Sequence, residues 1–220
     1  MYVPATPLPA APLVPVGIAA TETASAASAP SIPAPAHTEL HVGGFQLNVL
    51  ANHRASVAGA LLAAHRPAPA GEEIELQTLA RRGWHTLASA HTGAHGRFRL
   101  RYLPRRIGSR VVRLVFPGSP TQLPSRRRLG RLNVYRQVVA SWYGGGGSLA
   151  CGGSLTSSTL GVANRTLPCG TLVTLRYDGH TVRVPVIDRG PYVEGREFDL
   201  TEATKQALGF VGVGEVWSTS

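Results

Sequence analysis

The chain has 220 residues, of which 43% are hydrophobic, with 25 glycines and 17 prolines; this can bury a core but suits a turn-rich fold better than a helix bundle. The net charge of +10 is unevenly placed: residues 38–136 hold 16 arginines against Glu39, Glu72, Glu73 and Glu75, and the remainder is close to neutral. A basic surface attracts nucleic acid, anionic lipid or acidic wall polymers, although a preference for Arg over Lys this strong also follows from GC-rich coding alone, and no run is long and apolar enough to span a membrane as a helix.

Residues 1–37 are mostly Ala, Pro, Ser and Thr with almost no charge, a composition that reads as a disordered leader or linker. Residues 12–20 are apolar, and Ala24, Ser25 and Ala26 offer a small-residue cleavage site, but no basic segment precedes them and prolines interrupt the run. We read the start as truncated.

From residue 38 to 136 the texture changes to short apolar runs parted by Gly, Pro, Asn or His. Seven strands are predicted, at residues 45–50, 56–62, 74–77, 83–88, 97–102, 110–116 and 131–135, which argues for a small antiparallel β-sandwich. In the run from Arg97 to Tyr102 the arginines Arg97, Arg99 and Arg101 alternate with Phe98, Leu100 and Tyr102. Alternation on a strand sends the aromatics to the core and the arginines to solvent, which suits packing better than base stacking and argues against nucleic acid. Residues 117–128 read as an exposed loop. His65, His85, His91 and His95 lack a ligand spacing on one element, so no metal site is expected. The pairing of Gly83-Trp84 with a later Gly96-Arg97-Phe98 resembles the immunoglobulin-like modules of bacterial surface proteins.

The last unit, residues 137–220, opens with a strand at 138–143 and the glycine run Gly144 to Gly147, which has no Lys-Ser/Thr after it to make a P-loop. Strands at 172–177 and 181–187 flank Asp178-Gly179, a strong hairpin signal. Pro185 cannot donate to a ladder, so a bulge is expected there. The second strand runs into Asp188-Arg189-Gly190-Pro191, a turn that exposes Asp188. A helix is predicted at 201–208 with Thr201 as N-cap, Glu202 at its positive end, Ala203, Ala207 and Leu208 on its apolar side and Gly209 as its stop. A closing strand follows at 213–218. The only cysteines, Cys151 and Cys169, fit no common zinc signature. They are either free thiols or one disulfide, and an exported protein favours the disulfide.

Four motifs occur in order: Ala140-Ser141-Trp142-Tyr143-Gly144, then Leu160-Gly161-Val162-Ala163-Asn164-Arg165-Thr166-Leu167-Pro168-Cys169-Gly170-Thr171, then Val186-Ile187-Asp188-Arg189-Gly190-Pro191-Tyr192, and Phe198-Asp199-Leu200-Thr201. Together they resemble the rare-lipoprotein-A-like double-psi β-barrels, septal-ring lytic transglycosylases related to expansins. The resemblance covers about the last third of the chain. It implies a six-stranded double-psi barrel with one short helix, secreted or cell-wall associated and without a cofactor; with the small antiparallel sandwich read from the strand pattern before it, the fold class expected is all-β.

By the same resemblance Asp188 falls on the acidic catalytic position, where a carboxyl group at a strand end can protonate a glycosidic oxygen. Asp199 is a second acid, expected to support the site by accepting backbone N–H bonds. Arg189 either binds a substrate carboxylate or pairs with an acid such as Asp199. Trp142, Tyr143 and Tyr192 are candidates for contact with sugar rings. Active family members often carry His where this chain has Asn164; Asn can bind a sugar or orient Asp188 but cannot carry a proton near neutral pH. Two functions are therefore weighed: a peptidoglycan lytic transglycosylase, and a non-catalytic, expansin-like module that binds wall polysaccharide. Anionic wall polymers are a further possible partner for the basic sandwich.

Overall fold

The computed structural model describes Met1 and residues 34–220. The leader assigned to residues 1–37 lies almost wholly outside the described residues. Its end, however, is tied down: the Ala36 N–H donates to the Thr121 carbonyl and its own carbonyl accepts from Leu123.

In chain order the strands are β1 (Thr38–Phe45), β2 (Asn48–Leu50), β3 (Ala55–Ala63), β4 (Arg66–Pro67), β5 (Glu73–Ala80), β6 (Gly83–His91), β7 (Arg97–Tyr102), β8 (Gly108–Phe116) and β9 (Ser125–Tyr143). There follow β10 (Gly147–Ser148), β11 (Ser154–Leu155), β12 (Val162–Ala163), β13 (Leu172–Tyr177), β14 (His180–Asp188), β15 (Phe198–Thr201), helix α1 (Glu202–Leu208) and β16 (Gly214–Ser218). The protein is all-β, as its patterning predicts.

One sheet pairs β1, β7 and β4 with β3; the other joins β8, β5 and β6 to the first half of β9, with β2 on β9's other side. Alternate residues of both sheets meet in one core that includes Val57, Leu61, Ile74, Leu76, Phe98, Leu100, Leu114 and Phe116. In β7 the three arginines are exposed and Phe98, Leu100 and Tyr102 are buried, as the alternation requires.

Three differences from the sequence reading lie in the strand boundaries. The run 45–50 is not one strand. Phe45 ends β1 in one sheet and β2 begins in the other, with the carbonyls of Gln46 and Leu47 taken at the crossing by the Tyr102 hydroxyl and the Asn133 N–H. Residues 125–128 are strand and not loop, because Ser125, Arg126, Arg127 and Arg128 register against Phe116, Val115, Leu114 and Arg113 of β8. The strands predicted at 131–135 and 138–143 are a single strand, β9, which runs without a linker through the junction placed near Arg136. Core residues up to Val134 belong to one buried cluster and those from Val138 to another. Between them Tyr135 is wholly buried, its hydroxyl donating to Asn48 Oδ1 at 2.8 Å and its ring 5.8 Å from that of Trp217. Arg136 grips Glu197 with two guanidinium nitrogens and donates through Nε to the Ser220 carbonyl at 2.6 Å.

The second half of β9 opens a closed ring of six strands, β9–β15–β12–β14–β13–β16 and back to β9, with β15 on β9 and β12 on β14 running parallel. Ala140, Val162, Val173, Leu175, Val184, Val186, Phe198, Leu200 and Val216 fill it. Asp178 and Gly179 both take positive φ, 40° and 83°, which is what a two-residue hairpin between twisted strands needs. A register shift does interrupt β14, but against β12, between its pairings at Val186 and Asp188, and not at Pro185, which still registers with Leu172 at the start of β13. Helix α1 begins and ends as predicted, with Thr201 Oγ1 accepting from the Thr204 N–H and Gly209 left-handed. Its buried side is Thr204 and Leu208, while Ala207 faces solvent. Thr204 is preferred inside because its hydroxyl both accepts from the N–H of Gly161 and donates to its carbonyl.

Candidate active site on the barrel wall

Strand register puts Asp188 of β14 opposite Ala163 of β12, Ala163 opposite Asp199 of β15, and Asp199 opposite Ser141 of β9. Directly opposed residues share a face of a sheet. Val162, Leu200 and Ala140, which directly precede or follow Ala163, Asp199 and Ser141 in sequence, point into the barrel, and the register shift after Val186 brings Asp188 onto the face of Ala163 although Val186, two residues earlier, points in. The row Asp188–Ala163–Asp199–Ser141 therefore lies on the outer wall. The two acids are two strands apart, roughly 9–10 Å between Cα atoms, with Ala163 between them in the register row. Ala163 and Ser141 are both 3% exposed, so they form the floor and the carboxylates form the sides.

Asp188 is held by backbone donors: its Oδ1 accepts from the N–H of Ala150 at 2.9 Å and from its own successor Arg189 at 2.8 Å. Oδ2 accepts no hydrogen bond from the described residues. Asp199 accepts from the Ser141 hydroxyl and not, as expected, from backbone N–H groups, because register sets Ser141 directly opposite it. Tyr143 lies two residues beyond Ser141 on the same face of β9, and its hydroxyl is buried near Asp188 with no hydrogen-bond partner of normal geometry among the described residues. Burial foremost, then Asp188 and after it Asp199, push the Tyr143 phenol above its ordinary value, so it stays a protonated donor beside the two carboxylates.

The disulfide Cys151–Cys169 is formed, with Cα atoms 5.6 Å apart. It joins the two loops that border Asp188. Cys151 N–H donates to the Ile187 carbonyl at 3.2 Å and Gly170 N–H to the Val186 carbonyl at 2.8 Å, so both ends of the bridge are fastened to the last residues of β14. The bridge thus fixes Ala150, whose N–H orients the acid.

Asn164 is buried and both ends of its amide are engaged. Oδ1 accepts from the N–H groups of Thr166 and Leu167 at 3.0 and 2.8 Å, and Nδ2 donates to the Glu197 carbonyl at 3.1 Å. The backbone N–H of Asn164 reaches the Asp188 carbonyl at 3.1 Å, so it supports the acid through the main chain. Arg189 does not pair with Asp199. Its guanidinium donates to the carbonyls of Asn164 and Leu167 at 3.0 and 2.8 Å and to Cys169 Sγ at 3.1 Å, which clamps that loop.

Trp142 and Tyr143, as neighbours on a strand, point to opposite faces. Trp142 lies under Lys205 Nζ at 3.8 Å from its ring centre and is 40% exposed. Tyr192 follows the Gly190–Pro191 cis peptide and is 80% exposed. Sequence reading assigned no role to Ser141, Ala150 or Ala163. Ser141 and Ala163 sit inside the quoted motifs, which was their only signal; nothing in the sequence marks the Ala150 N–H.

Residues 135–217 match the family model described as "Lytic transglycolase". A protein of Aquifex aeolicus named "Probable endolytic peptidoglycan transglycosylase RlpA" is 40% identical over 87 residues, 37% of this chain and 38% of its own. One of the same name from Synechocystis is 34% identical over 125 residues, 49% of this chain and 39% of its own. The chain thus spans about two fifths of the length of these curated relatives. Among solved structures, the Streptomyces papain inhibitor covers 38% of this chain and 91% of its own at 24% identity, with a TM-score of 0.31. With the closed six-strand ring, the ordered motifs and the family match all falling on one segment, residues 135–217 are a double-psi β-barrel domain of the rare-lipoprotein-A type.

Proposed function

We propose that the barrel cleaves the glycan strands of peptidoglycan as a lytic transglycosylase, with Asp188 as its acid and base. The observation that carries this reading is the orientation of Asp188, pinned through Oδ1 by two backbone N–H groups while Oδ2 is left for a substrate on the outer wall. Protonated Asp188 gives its proton to the glycosidic oxygen as the bond from that oxygen to the anomeric carbon breaks. The 6-hydroxyl of the muramyl residue then closes onto the anomeric carbon and its proton returns to Asp188, so no water is consumed. Asp199, held by Ser141 across Ala163, faces the positive charge that develops on the ring. A secreted or wall-associated location, and contact of Tyr192 and Trp142 with flanking sugars, belong to the same proposal. So does an anionic wall polymer as partner of the basic sandwich.

The test is mass spectrometry of muropeptides released from purified peptidoglycan by wild-type protein and by Asp188→Asn. Anhydro-muropeptides are expected from the wild type, and the variant is expected to lose 10²–10⁴-fold, the range for a general acid or base. Absence of product from several peptidoglycan types would sink the reading. The engaged amide of Asn164 favours one alternative, a non-catalytic, expansin-like binding module, because no second proton carrier stands at that position. That alternative predicts co-sedimentation with wall glycan, unchanged by Asp188→Asn, without any anhydro product.

A further inference from the structure

The solvent face of the β1–β3–β7 sheet carries a pattern the barrel's chemistry does not use. Arg97, Arg99 and Arg101 stand in one line along β7, all exposed. At two residues per step they are spaced roughly 6.5–7 Å apart, so the line is roughly 13–14 Å long. None meets a carboxylate or donates a hydrogen bond among the described residues. Their cross-strand neighbours on β3 are Ala60, Ala58 and Ser56, and β1 adds Gly44 opposite Ala58 and the exposed His41 opposite Ala60, which bounds the Arg97 end. Small side chains beside long ones make a shallow trough with a cationic wall. The nearest acid on that face, Glu39, is already paired with His41 at 3.3 Å.

We propose that this ladder binds a linear, base-free phosphodiester polymer of the polyol-phosphate kind, laid along β3 with successive phosphates on Arg97, Arg99 and Arg101. An extended polyol-phosphate chain places charges at a spacing close to that of the ladder, and a trough floored by alanine and serine admits a thin backbone. Nucleic acid fits less well. Phe98 and Tyr102 are turned into the core and the ladder face carries no Phe, Tyr or Trp, so bases find no stacking platform. The biological source of such a polymer rests on the wall-directed reading of the barrel; the binding itself does not.

The experiment measures anisotropy of a labelled glycerol-phosphate oligomer of about six repeats on the full chain. The arms are a dT oligonucleotide with the same number of phosphates, the variant Arg97→Gln/Arg99→Gln/Arg101→Gln, and a control of equal charge change, Arg126→Gln/Arg127→Gln/Arg128→Gln. With three phosphates engaged at about 0.7 counterions each, the logarithm of affinity should fall with the logarithm of salt at a slope of about −2, roughly 15-fold between 50 and 200 mM. The ladder variant is expected to lose at least tenfold and the control less than twofold. Three results overturn the proposal: no binding of the oligomer at low salt, equal losses in the two variants, or tighter binding of dT. Muropeptide release by the ladder variant from polymer-free peptidoglycan reports separately on the barrel, so either reading can fail without the other.

Discussion

Removing the Cys151–Cys169 bridge tests how the site is built, because the bridge does two separable things. It constrains the unfolded chain, and it fixes the loops that aim Asp188. The cysteines are 18 residues apart. The chain-entropy relation for a loop of that size gives about 3 kcal/mol at 25 °C. With a urea slope of about 2 kcal/mol/M for a protein of this size, the unfolding midpoint should fall by about 1.5 M in Cys151→Ala/Cys169→Ala. The assay is urea unfolding followed by tryptophan fluorescence, with wild type in oxidised and reduced forms beside the variant. Trp142 and Trp217 report on the barrel. Below the transition, where the variant is still folded, glycan cleavage should fall as well, because Ala150 is no longer held against Asp188 Oδ1. A midpoint shift below about 0.5 M would refute the stability argument. Unchanged cleavage by the folded, bridge-free protein would refute the idea that the bridge orients the acid.

Three other outcomes follow from the same geometry. Asn164→Ala strands two loop N–H groups and the Glu197 carbonyl, so a loss of about 2–3 kcal/mol is expected in denaturant unfolding. Tyr143→Phe removes a donor beside Asp188 and should lower cleavage roughly 10- to 100-fold with the melting temperature little changed; full activity would assign the hydroxyl no role. Burial raises the Tyr102 phenol to about 12, so its neutral form is favoured in the folded state. The stability this contributes is fully present below pH 10 and is lost as pH rises toward 12, and Tyr102→Phe should flatten unfolding free energy against pH across that window.

Local features of this chain were legible because their causes are local. Asp178-Gly179 supplies the positive φ values a tight hairpin needs, Thr201 and Gly209 bound α1, and the arginines of β7 face out because alternation leaves them no choice. The four motifs located the barrel and singled out Asp188. Proximity across strands was not legible. Asp188 and Asp199 are brought to either side of Ala163 by register alone, and register depends on which strands close the ring. Whether residues 125–143 were loop and two strands or one strand was settled by β8, β15 and β16, the partners laid beside them. Arg189 offered an ion pair on paper; in the fold its guanidinium is spent on carbonyls of a loop that the disulfide draws close. Residue identity determined which groups this protein has at its strand ends. Only the closing of the barrel, by setting register between segments tens of residues apart, decided which of them meet.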